Sequence, residues 1–409
     1  MLKKGARNTF YLFSSQILGK IVGFLWTVYL ARTLGVKTFG QYQTVLAFVF
    51  TFFAFVDFGL NRLLIRDVSR KVEEAGDYLG SALGFRLILA FFAYMIAIIF
   101  AFLLGYPLSL IMLFAITFLL FFFQGFWFCF SAIFLALEKM EISALGSILQ
   151  AIFTPLFGLL FLKLGFGLRG VLGGIVVSNL LVLFYFFLQA RRKKIVFRLF
   201  LDRTRFLYFL KEGGKFAFLT FLSIFYLKNG VLILERLKGE KVAGLYSAGF
   251  KVVEIGIIFP NALATAFFPQ VSKLILADKK RLTQLYFQLV LIAFLLAVPL
   301  TLIVGLYSEE ILDFLFGKEF VFASPALSIL GFSLILFFVN ALPGNIIQSS
   351  EKLTSFLPWA FFNTFFNLLL NFLLVPRFSF LGPAYAILIT ETIGLLINNL
   401  FVREILKER

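Results

Sequence analysis

Apolar runs long enough to cross a bilayer follow one another along this chain at roughly 9–31, 42–60, 81–104, 108–136, 144–163, 170–190, 215–234, 242–268, 285–306, 324–349, 355–375 and 381–402. A helix rising about 1.5 Å per residue needs about 20 such residues to cross about 30 Å of hydrocarbon. Backbone amides find no water in that layer, so spanning segments of this length must satisfy their hydrogen bonds internally, as helices do. The expected fold is an all-α polytopic membrane protein with twelve crossings. Composition agrees: 61% of the 409 residues are apolar and 14% charged, against about one half and one quarter in soluble domains.

The chain is also written twice. Gly35-x-Lys37-x-x-Gly40-x-Tyr42 returns as Gly239-x-Lys241-x-x-Gly244-x-Tyr246, 204 positions later. Glu138-Lys139 returns as Glu351-Lys352 and Gly170 as Gly382, at offsets of 213 and 212. Six crossings per copy is an even number, so both copies start on the same side and form parallel repeats, an arrangement found among transporters. The expected organisation is a lobe over 1–190, a basic linker over 191–215 and a second lobe over 216–409.

Sidedness follows from the connections. Lys and Arg number 25 in the set that includes both termini and 9 in the opposite set, which places the termini in the cytoplasm. The net charge of +17 is then mostly a topology signal and an affinity for anionic lipid headgroups, and requires no nucleic acid. In the linker, Val196, Leu199, Phe200, Phe206, Leu207 and Leu210 recur at three- and four-residue spacing among arginines, which predicts a helix lying on the inner leaflet. A topogenic linker or an element coupling the lobes both fit.

Exclusions are as informative. No histidine and a single cysteine, Cys129, leave no disulfide framework, zinc site or imidazole base. No phosphate-loop motif is present, so no ATP-driven engine is expected. No cleavable signal peptide is expected behind the basic flank Met1 to Arg7. Short outer loops leave no folded exterior domain, and Glu309, Glu310 and Asp313 read as an interfacial turn.

Ionisable groups at membrane depth are the functional candidates. Lys20 and Lys228 fall near the middle of the first and seventh crossings, with Arg86 and Lys251 completing four cations, against Asp57, Glu254 and Glu391. Lys251 and Glu254 can pair on one helix face, and Asp57 and Arg86 can neutralise one another. Lys20 and Lys228 have no acid within four positions, so they meet either a mobile anion or a carboxylate on another helix. Asn363, Asn367 and Asn371 line one face of the eleventh crossing, as interhelical glue or the wall of a wet cavity.

Tyr29-Leu-Ala-Arg32-Thr-Leu-Gly35 with Phe39-Gly40-x-Tyr42, then Asp57-Phe-Gly-Leu60 with Arg66, then Gly244-Leu-Tyr-Ser-Ala248 (carrying Tyr246) with Lys251 and Pro269, resemble the Wzx-type flippases. These form the polysaccharide branch of the multidrug/oligosaccharidyl-lipid/polysaccharide exporter superfamily. The resemblance covers essentially the whole chain. It implies two six-helix lobes in a V around a cation-lined cavity, alternating access, a location in the cytoplasmic membrane and no cofactor, with transport driven by the membrane potential or a coupled cation. The implied substrate is an anionic glycan on undecaprenyl pyrophosphate, and the implied partners are membrane phospholipids and the glycosyltransferases or polymerase of the same pathway. Related alternatives are a MATE-like cation-coupled antiporter and a lipid II flippase, although the latter type carries two further helices. A membrane glycan polymerase or ligase fits less well. Lys20, Lys228, Arg86 and Lys251 are the expected substrate-binding cations, and Asp57, Glu254 and Glu391 the expected ion-coupling or pairing acids.

Overall fold

A computed structural model of the chain describes residues 2–200, 202–350 and 352–407. Helices account for nearly all of them, and no strand occurs among the described residues. In chain order they are α1 (Leu2–Asp57), α2 (Leu60–Val68), α3 (Ala75–Leu103), α4 (Leu108–Ala136), α5 (Met140–Lys163), α6 (Gly167–Arg192) and α7 (Arg203–Lys238). There follow α8 (Glu240–Gly256), α9 (Ile258–Ala277), α10 (Lys279–Leu306), α11 (Ser308–Phe316), α12 (Ser324–Ser349), α13 (Leu353–Phe378) and α14 (Leu381–Lys407). Among the described residues, eleven segments are long and apolar enough to cross a membrane. The first of them, Ser14–Val68, has 55 residues, about 80 Å of helix, and is interrupted at Gly35 with φ 72° and ψ 169°. It therefore holds two of the twelve expected crossings.

Gly239, which separates α7 from α8, takes φ 86° and ψ 171°. The two copies of the motif thus adopt one backbone conformation, in a region essentially reserved for glycine. The second glycine of each copy serves a different need. A Cβ on Gly40 would stand 1.8 Å from the Glu240 carbonyl oxygen, and one on Gly244 would stand 2.2 Å from that of Val36. Val36 and Glu240 are themselves 204 positions apart, so the contact is reciprocal. Small residues are what let membrane helices approach to backbone distance. Gly170 and Gly382 likewise seat α6 and α14 against the ends of the preceding helices, a Cβ there meeting Phe161 or Val375 at under 3 Å. Of the remaining landmark pair, Glu351 lies outside the described residues.

The chain gathers into two compact units, Met1–Thr27 with Val45–Ile224, and Val28–Thr44 with Phe225–Arg409. The first copy of the motif therefore packs inside the second unit, against the second copy. Phenylalanine fills the first unit: Phe48 stacks on Phe114 at 4.2 Å and Phe53 lies 4.7 Å from Phe121. The core of the second unit is aliphatic, built on Leu282, Leu289, Ala293, Leu342 and Ile346.

The linker differs from expectation. Residues 195–200 take no regular secondary structure, and α7, which holds Phe206, Leu207 and Leu210, starts only at Arg203. This backbone lies on α3, where Gly76 and Gly80 leave room for the Val196 and Arg198 carbonyls at 1.9 and 2.0 Å from where a Cβ would be. Phe197 packs edge-on against Phe130. Periodic apolar residues suggested one surface helix from Val196 to Leu210; the part from Arg203 is helical, but a two-glycine groove on α3 seats the first part as irregular chain. The acidic segment Glu309 to Asp313 is part of the short helix α11 rather than a simple turn.

Candidate functional site

The membrane-depth charges divide into four groups. In the first unit, Arg86 on α3 is fully buried and its Nη2 lies 3.0 Å from Asp57 Oδ1. The same guanidinium donates to the Asp57 carbonyl at 3.2 Å, to Asn61 Oδ1 at 3.4 Å and to the Gly125 carbonyl. Gly125 is needed there, because a Cβ would stand 2.8 Å from Arg86 Cδ. Asn61 also donates to Asp57 at 2.7 Å. Cation and acid are thus committed to one another and to the joint between α1 and α2; Arg86, expected among the substrate-binding cations, presents no surface to a ligand because its side chain is fully buried, with both terminal nitrogens bonded to fixed acceptors.

In the second unit, Lys228 on α7 and Lys251 on α8 both reach the carboxylate of Glu254. Lys228 also lies 5.9 Å from the centroid of the Phe250 ring. Two ammonium groups share one carboxylate, so the cluster keeps one formal positive charge. Each of the three side chains retains between 21% and 24% of its surface, so the cluster is partly exposed. The partner that sequence spacing did not give Lys228 comes from the adjacent helix.

Lys20 forms the third group. It is exposed and has no ion pair among the described residues. At this depth an ammonium needs an anion, water or a route to the interface.

Glu391, on α14, is the remaining acid. It is 8% exposed and accepts from Tyr226 on α7 at 2.7 Å and from Asn340 on α12 at 2.8 Å. Nearby, Asn229 donates to Asn367 Oδ1 at 3.0 Å and Asn371 donates to Asn229 Oδ1 at 2.9 Å. All three asparagines are about 1% exposed, so Asn367 and Asn371 act as glue between α7 and α13. Sequence reading missed the roles of Tyr226 and Thr390; their only signal was polarity inside an apolar run.

The motif residues serve architecture. Arg32 donates from Nε to the Leu315 carbonyl at 2.8 Å and from Nη2 to that of Phe314, placing a cation on the carbonyl end of α11, where the helix dipole favours it. Tyr42 and Tyr246 are buried. Gln41 donates to Glu240 at 2.6 Å. A cleft of about 640 Å³ in this unit is lined by Gly35 and Lys37 of one copy and Lys241 of the other, beside Glu319.

A helical membrane protein with a repeat packed on itself and uncompensated cations at membrane depth has the features of a transporter. The family profile described as "Polysaccharide biosynthesis protein" matches residues 6–275, and the chain belongs to that family, the Wzx-type polysaccharide flippases. A second profile, MatE, matches residues 216–373. The chain is 30% identical over 178 residues to the capsular polysaccharide biosynthesis protein CapF of Staphylococcus aureus, a match covering 42% of this chain and 44% of that protein. That match spans less than half of CapF. It is 24% identical over 402 residues to the "Probable low-salt glycan biosynthesis flippase Agl15" of Haloferax volcanii, covering 93% of this chain and 80% of the relative. Among solved structures, the lipid II flippase MurJ in an inward closed conformation superposes with a TM-score of 0.75 at 17% identity, covering 96% of this chain and 87% of that one. This likeness shows a shared fold.

Proposed function

We propose that this protein carries a lipid-linked glycan, with its phosphate headgroup, from the inner to the outer leaflet of the cytoplasmic membrane for cell-surface polysaccharide synthesis. The observation that carries the reading is Lys20, an exposed ammonium without a carboxylate partner among the described residues, deep in an apolar helix of a chain from this family. Hydroxyls and phosphates are not stripped of water cheaply in hydrocarbon. Lys20, and separately the Lys228, Lys251 and Glu254 cluster, each offer such a headgroup fixed positive charge in place of part of that water, while the prenyl chain remains in lipid. Undecaprenyl pyrophosphate is the carrier this charge suits. With a negative cell interior, outward movement of anionic charge gains about 2.3 kcal/mol per charge per 100 mV, so alternating access can be biased without ATP. Membrane phospholipids surround the protein, and the glycosyltransferases and polymerase of the pathway supply and consume its cargo.

The test is export in cells lacking the gene. Lys20→Glu is expected to abolish surface glycan with the protein inserted and abundant, and Lys20→Arg to restore it. Normal export by Lys20→Glu removes the reading. The MatE match favours one second reading, a cation-coupled antiporter of small molecules. Uptake of a hydrophobic cation by proteoliposomes, indifferent to Lys20→Glu, would put that reading first.

A further inference from the structure

The three acids at membrane depth differ in their company. Asp57 is held by Arg86, and Glu254 by Lys228 and Lys251. Glu391 faces no basic side chain among the described residues. The titratable groups around it are few. From α7 comes Tyr226, with Lys228 two residues further on and engaged by Glu254. From α8, Tyr246 lies beyond Tyr226. Helix α12 contains no charged residue, and α13 contains only Arg377 near its far end. From α10, Tyr286 donates to Asn399, two turns along α14 from Glu391.

What surrounds the carboxylate is a chain of reversible hydrogen bonds. Tyr226 Oη is 2.7 Å from Glu391 Oε1 and 2.8 Å from Thr390 Oγ1, where either hydroxyl can donate. Thr390 Oγ1 donates to the Ala386 carbonyl at 2.7 Å and accepts from Asn367 at 3.1 Å. Asn367 in turn joins Asn229 and Asn371. A hydroxyl has one proton and two lone pairs and turns to suit its partners.

From this geometry we infer that Glu391 is an exchangeable proton site, and that Tyr226 relays its occupancy to Thr390, the hydroxyl that Asn367 of the α7–α13 contacts also bonds. In the ionised state Tyr226 gives its proton to Glu391 Oε1. When a proton arrives on Oε1, the new O–H donates to Tyr226 Oη, Tyr226 turns its own proton to Thr390 Oγ1, and Thr390 keeps its bond to Ala386. One proton enters, no covalent bond other than the carboxyl O–H forms, and no co-reactant is required. Networks of this kind respond as a unit, because each bond polarises the next. The use of the proton, to set the preferred conformation of a transporter, rests on the flippase reading; the site itself does not.

The experiment is pH-difference infrared spectroscopy of the full chain in lipid nanodiscs. The wild type is expected to show a protonated-carboxyl band that titrates, that is lost in Glu391→Gln and that is kept in Asp57→Asn. Tyr226→Phe, which removes one donor and little volume, is expected to move the band and its midpoint. Absence of the band, its persistence in Glu391→Gln, an unmoved band in Tyr226→Phe, or a band that follows sodium chloride at fixed pH instead of pH each overturns the inference. Export that survives Lys20→Glu alongside a normal Glu391 band removes the flippase reading and leaves the proton site standing. A missing band with export still dependent on Lys20 does the reverse.

Discussion

The Arg86 site and the Lys228 site are made of similar groups and differ in stoichiometry. One guanidinium meets one carboxylate in the first unit, and two ammonium groups meet one carboxylate in the second. Arg86 is fully buried and spreads its donors over Asp57, Asn61 and Gly125. The lysines stay partly accessible around Glu254. Charge count and burial together separate a group that fastens helices from one that keeps a net positive charge at a partly accessible surface.

Four substitutions press on that contrast, from the largest expected effect down. Arg86→Met strands Asp57 beside a buried joint and is expected to destabilise by about 3–5 kcal/mol, the range for breaking a buried pair; thermal unfolding in detergent measures it, and Arg86→Met with Asp57→Asn is expected to regain part of the loss. Gly40→Ala forces apart the Gly40 and Glu240 backbones and is expected to lower stability by about 1–3 kcal/mol, read by the same melt, with Gly244→Ala falling in the same range. Lys228→Met leaves Lys251 and Glu254 as a neutral pair. Its fold should hold while export falls about tenfold, equivalent to about 1.4 kcal/mol; a melt shift as large as that of Arg86→Met would erase the distinction between the sites. Arg32→Gln removes a cation from the end of α11 and is expected to lower stability by less than about 1 kcal/mol, seen as faster hydrogen exchange across Leu312 to Phe316.

How much of this was legible depends on the distance over which each cause acts. Crossing number follows from bilayer thickness, so a run such as 144–163 announces itself. Gly35 and Gly239 were readable as landmarks of the repeat, whereas their shared left-handed backbone emerged only from the structure. Lys251 with Glu254 was readable because the two are three apart on one helix. The bonds from Lys228 to Glu254 and from Tyr226 to Glu391 were not, since they depend on how far each helix is rotated about its axis. The linker misled in part for a related reason: apolar spacing in Val196 to Leu210 resembles one helix, and Arg203 onward is helical, while the groove that seats Val196 to Arg198 belongs to α3, more than a hundred residues earlier.

The reciprocal touch of Gly40 on Glu240 and of Gly244 on Val36 carries a consequence for ancestry and for engineering. A chain of half this length would make the same contact with a copy of itself, as an isologous homodimer does, so the duplication joined in one polypeptide what two subunits would otherwise share. Cutting the gene within 191–215 should therefore yield fragments that need one another: the downstream fragment lacks Val28–Thr44, which completes its own fold, and only co-expression returns it.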